Sequence, residues 1–372
     1  MKKNHIIALL IIAVVLILDS IAGIEFREMK IQEKIHPTKT LTKESSLSEY
    51  CTNLQGKSGD AKIYFFDSGN LGATVLVLGG THPNETAGFI SALVLIENMD
   101  IKQGRFIIIP QACSSGFTCT DPMEGTPQSF TIETNSGPRK FRFGSRVSNP
   151  LDQWPDPLVY SHYPSGQQLS GFETRNLNRS YPGRSNGSFT ETVGFAIMEL
   201  IRLEKVDVAI DLHEASPEAP IINAIIVHEK CREIGASAVL NLEFEDLQYA
   251  LEISPKKFRG LSHREWGDAT DVYPFLMETS NPIQGRLRGK TNSILITDGL
   301  DDQYERAVRT KSFRISYELA GEPLSLRVGR HIQGIKAILD SYNEYSNDKK
   351  IVYENIPSYD DLVENGVGSY LR

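Results

Sequence analysis

Short apolar runs, four to seven residues long and rich in β-branched side chains, recur along the chain and leave few architectures open. Ala73–Leu78 (ATVLVL) ends in Gly79-Gly80, Phe106–Ile109 (FIII) is stopped by Pro110, and Val206–Leu212 reads VDVAIDL. Each is too short for a stable helix and is bounded by breakers, which predicts a strand buried on both faces. Ile221–Val227 is expected to be the neighbour of 206–212. Val272–Met277 and Ser293–Thr297 read as two more strands, the first interrupted by Pro274. Between them, Thr86–Met99, Thr190–Lys205 and Gly329–Tyr345 carry apolar residues at helical spacing. Strands alternating with helices predict an α/β fold, a mixed, mostly parallel sheet with helices on both faces.

Gln111–Arg175 breaks this rhythm. It is rich in Gly, Pro, Ser and Asn, and reads as a long insertion; such insertions in ordered domains are usually functional. No internal repeat divides the chain, so residues 48–372 are read as one catalytic domain. Upstream, Lys2 and Lys3 precede an unbroken apolar run, Ile6–Leu18, ended by Asp19. Its length suits a signal-peptide core, with Ser20-Ile21-Ala22 as the cleavage region; the other reading is an uncleaved anchor extended by Ile21 and Ile24. Residues 1–22 are therefore a signal peptide or N-terminal anchor, and 23–47 a polar linker. Both readings place the domain outside the cytoplasm, in a bacterial-type envelope or secreted. Membrane contact is expected only through an uncleaved anchor.

Lys and Arg number 39 against 47 Asp and Glu, a formal charge of −8. That balance argues against a nucleic-acid partner, which needs clustered cations to neutralise phosphates. Cys51, Cys113, Cys119 and Cys231 contain no CxxC, so a thiolate zinc site is not expected. Cys113 and Cys119 could close a short disulfide loop, or all four could be separate thiols. Three Asn-x-Ser/Thr sequons start at Asn84, Asn178 and Asn186. The first two overlap the chemistry described next, so a glycosylating route would block it.

Two strand ends carry metal-type residues. One reads Gly79-Gly80-Thr81-His82-Pro83-Asn84-Glu85, the other Asp211-Leu212-His213-Glu214. Ligands of open α/β sheets bind at the carboxyl ends of strands. If Pro83 opens the following helix, His82 and Glu85 share a face one turn apart. Two imidazoles and a carboxylate suit Zn²⁺ with one position left for water. Singly, each motif is more often structural; together they favour a metal. In Asn176-Leu177-Asn178-Arg179, an amide beside a forked cation can hold a carboxylate. Phe275-Leu276-Met277-Glu278 ends an apolar run in a carboxylate able to relay a proton.

The order HxxE, NR, H, E, with the phrases GGxHxxE, LNRxxPG and DLHE, resembles the M14 zinc carboxypeptidase superfamily, and within it the succinylglutamate desuccinylase/aspartoacylase branch. The likeness covers roughly residues 73–299. It implies the zinc-carboxypeptidase α/β/α sandwich, one Zn²⁺ per chain held by His82, Glu85 and His213, and a substrate carboxylate held by Asn178 and Arg179. It implies Glu278 as general base and acid, and an arginine upstream of Asn178 that polarises the scissile carbonyl. Arg175 is close in sequence and Arg146 far; Arg146 is favoured. The implied activity is amide hydrolysis next to a carboxylate-bearing residue, of the N-acyl amino acid deacylase type, with a carboxypeptidase acting on peptides or cell-wall fragments as the alternative. A non-catalytic ligand-binding relative is the third reading; such a chain would be expected to lack a ligand or the base, and all are present. Asp211 could orient His213 or be a plain polar strand end, and Glu214 is read as pointing to the opposite face. His228 is read as structural. His263 could reach a substrate, and Arg286 and Arg288 are read as solvated loop charges, with binding of an anionic substrate as the alternative.

Overall fold

The computed structural model describes residues 3–121, 125–311 and 320–372. Lys2 of the leader and three positions of the 111–175 insertion lie outside them. Eight strands form the main sheet: β1 (Leu41–Ser46), β2 (Lys62–Asp67), β3 (Thr74–Leu78), β4 (Arg105–Ile109), β5 (Val208–Ala215), β6 (Ala224–Val227), β7 (Ala250–Ile253) and β8 (Tyr273–Ser280). Their spatial order is β1-β2-β4-β3-β5-β8-β6-β7. The pairs β4/β3, β3/β5, β5/β8 and β6/β7 are parallel, whereas β1/β2, β2/β4 and β8/β6 are antiparallel. The sheet is thus mixed and mostly parallel, with its parallel part at the centre.

All five residues of β3 are buried, because both faces are covered. On one face Phe89 and Leu93 of helix Thr86–Asn98 and Ile332 and Ile335 of helix Leu324–Tyr345 pack over Val75, Val77, Val208 and Phe275. On the other, Val193, Ile197 and Leu200 of helix Phe189–Leu203 cover Leu76, Leu78, Ile107 and Ala209. Ser188 begins that helix with a reciprocal capping box to Glu191. Helix Thr86–Asn98 is buried all round, which is why its sequence shows little polar face.

Several expectations need correction. Residues 41–46, expected in a linker, pair with β2 as the edge strand β1. Ala224–Val227 does not adjoin β5; β8 lies between them, since adjacency in sequence only partly sets adjacency in a sheet. Ser293–Thr297 is a short helix, because the Asn292 side chain accepts from Leu295 N and caps it. Pro274 is tolerated inside β8: Tyr273 N donates toward β5, so position 274 faces the β6 side, where pairing stops at Phe275. The 111–175 insertion is ordered around two hairpins, Ser129–Thr134 with Gly137–Arg142 and Val159–Ser161 with Gln168–Ser170. All four cysteines are free thiols, so Cys113 and Cys119 are not paired.

Candidate metal centre

The site grows from the carboxyl ends of β3, β5 and β8. After Leu78 the chain turns sharply at Gly79-Gly80. Gly80 has φ +64°, and a Cβ there would come within 2.8 Å of the Phe117 ring, so only glycine fits. The turn delivers Thr81, whose hydroxyl donates to Asp211 Oδ1 at 2.7 Å, and then His82. Glu85 N donates to His82 O at 3.0 Å, and the helix begins at Thr86. His82 and Glu85 therefore meet across a tight turn, not along a helix opened by Pro83 as expected. On β5, Asp211 and His213 lie on one face. His213 is in register with Glu278 on the parallel neighbour β8, which places those two side by side.

His82, Glu85 and His213 are each 2% exposed or less. His82 Nδ1 lies 2.8 Å from Glu85 Oε1, His213 Nδ1 lies 2.9 Å from Glu85 Oε2, and the two Nδ1 atoms are 3.2 Å apart. The outer nitrogens face oxygen atoms. His82 Nε2 donates to Asn176 Oδ1 at 2.9 Å; His213 Nε2 lies 2.9 Å from Asp211 Oδ2. Asn178 N also donates to Asn176 Oδ1, and Asn176 Nδ2 donates to Glu173, so the amide orientation is settled from both ends. These outer contacts leave both Nδ1 atoms facing Glu85. Acceptors facing one another at about 3 Å need positive charge between them, and imidazole with carboxylate is a donor set for Zn²⁺. The three residues form a buried group that could hold a metal ion.

The electrostatics agree. Burial pushes His82 down to about 4, and nearby Arg146 acts in the same direction, so its imidazole is neutral. Burial opposes charge on His213 as well, but Asp211 and Glu85 overcome it and hold a proton there. Burial likewise opposes charge on Glu85, yet the two histidines keep it ionised. A proton on His213 thus stands where a cation would, and a bound metal would displace it. Burial pushes Glu278 up to about 8, although His213 pulls the other way; its Oε2 has no hydrogen-bond partner.

Asn178 and Arg179 sit on the short 3₁₀ turn Leu177–Arg179. Asn178 Oδ1 accepts from Ser262 N at 2.8 Å, which fixes its amide. Arg179 Nη1 donates to the Asn178 carbonyl at 2.7 Å; among the described residues no carboxylate lies within 4 Å of its guanidinium. Burial holds its pKa below the ordinary arginine value. The two upstream arginines part ways. Arg146 reaches Glu85 Oε1 at 2.7 Å, whereas Arg175 is tied to Asp156 at 2.7 and 2.8 Å and to Ser148 O. Geometry brings Arg146 to the centre and takes Arg175 away.

Other residues fall elsewhere. Glu214 points to the far face and pairs with Arg327. His228 binds Asp268. His263 is buried and neutral, burial pushing it down to about 3. Arg286 is exposed, with its backbone N held by Glu218. Arg288 donates to Gly289 O, and among the described residues no hydrogen bond or ion pair ties either arginine to His82, Glu85 or His213. Three contributors escaped sequence reasoning: Thr81, Asn176 and Gln284. Gln284 Nε2 donates to Glu85 Oε1 at 3.0 Å, and its own carbonyl accepts from Tyr304 OH at 2.8 Å. Thr81 and Asn176 stood inside quoted motifs; Gln284 had no signal beyond following Glu278 by six residues.

No family model matches the sequence, and no curated protein matches it. Among solved structures, a succinylglutamate desuccinylase from a Silicibacter species is 17% identical, with TM-score 0.38, over 59% of this chain and 53% of that one. An aspartoacylase family protein from Mesorhizobium loti is 21% identical, with TM-score 0.37, over 59% of this chain and 56% of that one. Product-bound cell shape determinant protein Csd4 from Helicobacter pylori is 11% identical, with TM-score 0.48, over 83% of this chain and 59% of that one. The chain thus spans little more than half the length of the structures it matches. The neighbours are desuccinylase/aspartoacylase proteins and Csd4; at these scores the functional reading stands on the site's own residues.

Proposed function

We propose that the chain is a zinc-dependent hydrolase that cleaves an amide bond next to a carboxylate-bearing residue, as a deacylase of N-acyl amino acids. The observation that carries this reading is the convergence of His82 Nδ1 and His213 Nδ1 on the Glu85 carboxylate, beside a half-buried Glu278 whose Oε2 is buried and unpartnered. When bound by His82, Glu85 and His213, zinc supplies a Lewis acid that polarises the carbonyl and acidifies water.

The remaining work falls to the chain. Arg179 has no carboxylate partner among the described residues, and with Asn178 it would anchor the substrate carboxylate through charge-assisted hydrogen bonds. That anchor orients the scissile amide. Arg146, about one-third exposed, reaches into the centre from the insertion and would face the carbonyl oxygen as charge develops there. Glu278 would take a proton from the attacking water and deliver it to the departing amine. Without a cation Glu278 is pushed up to about 8; positive charge beside it lowers a carboxyl and makes it a base. The products are a carboxylate and a free amine.

The test is metal content followed by turnover. The purified protein should hold one zinc per chain, removable by chelator, and His82→Ala and His213→Ala should each fail to retain it. Stoichiometric zinc in both variants would overturn the ligand assignment. Hydrolysis of N-acyl amino acids, with peptides of free carboxyl terminus left intact, would place the enzyme with the deacylases. The reverse preference would make it a carboxypeptidase.

A further inference from the structure

The N-terminal helix and the domain meet without a free tether. Helix Lys3–Glu28 is unbroken, and none of its residues is buried. Ile6, Leu10, Ile17, Leu18, Ile21 and Ile24 are all about half exposed or more, which water does not tolerate for a surface of this size. Ile6–Ile24 would extend roughly 28 Å at 1.5 Å per residue, close to the hydrocarbon thickness of a bilayer, about 30 Å. Asp19 lies within a turn and a half of the end of that run, where a charge can reach the interface. The helix runs on through Ser20-Ile21-Ala22 to Glu28.

Beyond the helix, the chain is bound into the domain at once. Met29 is buried, and its carbonyl accepts from Arg142 Nη1 at 3.1 Å. Glu33 takes Arg142 Nε at 2.9 Å and Nη2 at 2.8 Å, and Gln111 Nε2 at 2.7 Å. Lys34 O accepts from Arg139, and Lys140 pairs with Glu28. These contacts hold the domain close to the plane where the helix would leave a membrane.

A second apolar element lies beside that junction. Lys30 and Gln32, from the segment leaving the helix, line the same surface cleft as Leu151 and Asp152. Leu151 is 86% exposed, Trp154 three residues on is 73% exposed, and Leu158 is fully exposed. Tryptophan and leucine presented this way beside a spanning helix suit the headgroup level of a bilayer.

We propose that helix 3–28 is an uncleaved anchor and that the loop carrying Leu151 and Trp154 rests on the same phospholipid bilayer. The domain is then seated on the membrane surface. With Lys2 and Lys3 on the inner side, it faces outward. The proposal is independent of the metal reading, since no residue is shared.

The chain has two tryptophans, and Trp266 is fully buried, so Trp154 is a natural probe. Full-length protein and its Trp154→Phe variant would be reconstituted in phosphatidylcholine vesicles with or without brominated acyl chains, and the Trp154 signal taken as their difference. Intact mass should show Met1–Arg372, and brominated lipid should remove most of the Trp154 emission while aqueous iodide has little effect. A mass lacking residues 1–22 overturns the anchor. Full quenching by iodide with none by brominated lipid overturns the second contact. Shielding from both quenchers also overturns it, and assigns the surface to a second copy of the chain.

Discussion

Strand β5 separates two buried charge clusters that look alike in composition and differ in closure. On one face Glu214 Oε1 meets Arg327 Nη1 at 2.7 Å, Oε2 accepts from Ala87 N at 2.9 Å, and Arg327 also donates to the carbonyls of Ile296 and Glu322. Every charge there has a partner from the chain. On the other face Glu85 collects two imidazoles, Arg146 and Gln284, both imidazoles turn Nδ1 to the carboxylate, and Glu278 keeps an unpartnered oxygen. Buried charge alone does not mark a functional site. A cluster that cannot satisfy itself without an outside cation does.

The sharpest break of this comparison is Glu278→Gln. It should lower turnover by about 10²–10⁴-fold, the usual share of a proton-transfer group, while zinc content and unfolding temperature stay unchanged. Activity near wild type would assign the proton transfer to another group. Next comes Arg327→Met on the closed side. Leaving Glu214 buried and alone should cost roughly 3–5 kcal/mol in denaturant unfolding, and adding Glu214→Leu should recover much of it. A loss below 1 kcal/mol would show that the pair is not closed in the sense argued. Gln284→Ala touches only the outer contacts of Glu85 and should weaken zinc binding about 10–100-fold in a chelator competition, without altering the fold. Unchanged affinity would make its contact with Glu85 incidental.

The smallest effect expected is in the pH dependence of the metal-free protein. Glu278 is pushed up to about 8 in the folded state, against an ordinary value of 4.5 when unfolded. Between those values the folded state binds more protons, so its share of stability is present below 4.5 and is lost as pH rises through about 8. Unfolding free energy of the chelated protein should therefore fall from pH 5 to 9, less steeply in Glu278→Gln. Equal slopes would place the proton elsewhere, Glu214 being another acid that burial lifts, to about 7.

Much of the scaffold was legible because its signals are local. Val75, Val77, Ile107 and Ile108 are β-branched, lie in runs bounded by Gly or Pro, and became central strands. Short runs without a decisive period were the weak point: Ser293–Thr297 carries the same apolar residues as a strand, and only the Asn292 cap makes it helical. The edge strand 41–46 is polar on most positions, so its pairing with β2 left no hydrophobic trace. Spacing favoured Arg146 over Arg175, but only the folded insertion shows which guanidinium reaches Glu85.

The sequence by itself determined the alternation of strands and helices, the apolar N-terminal run, and the residue types at the strand ends, since propensity and periodicity act over a few neighbours. Tertiary structure alone decided which of those residues converge. It set His82 against His213 across 131 positions, turned their Nδ1 atoms inward with Asn176 and Asp211 behind them, brought Gln284 onto Glu85, and closed Glu214 with Arg327 on the opposite face. Those choices depend on sheet order and register, and register is the property that sends alternate side chains of one strand to opposite faces.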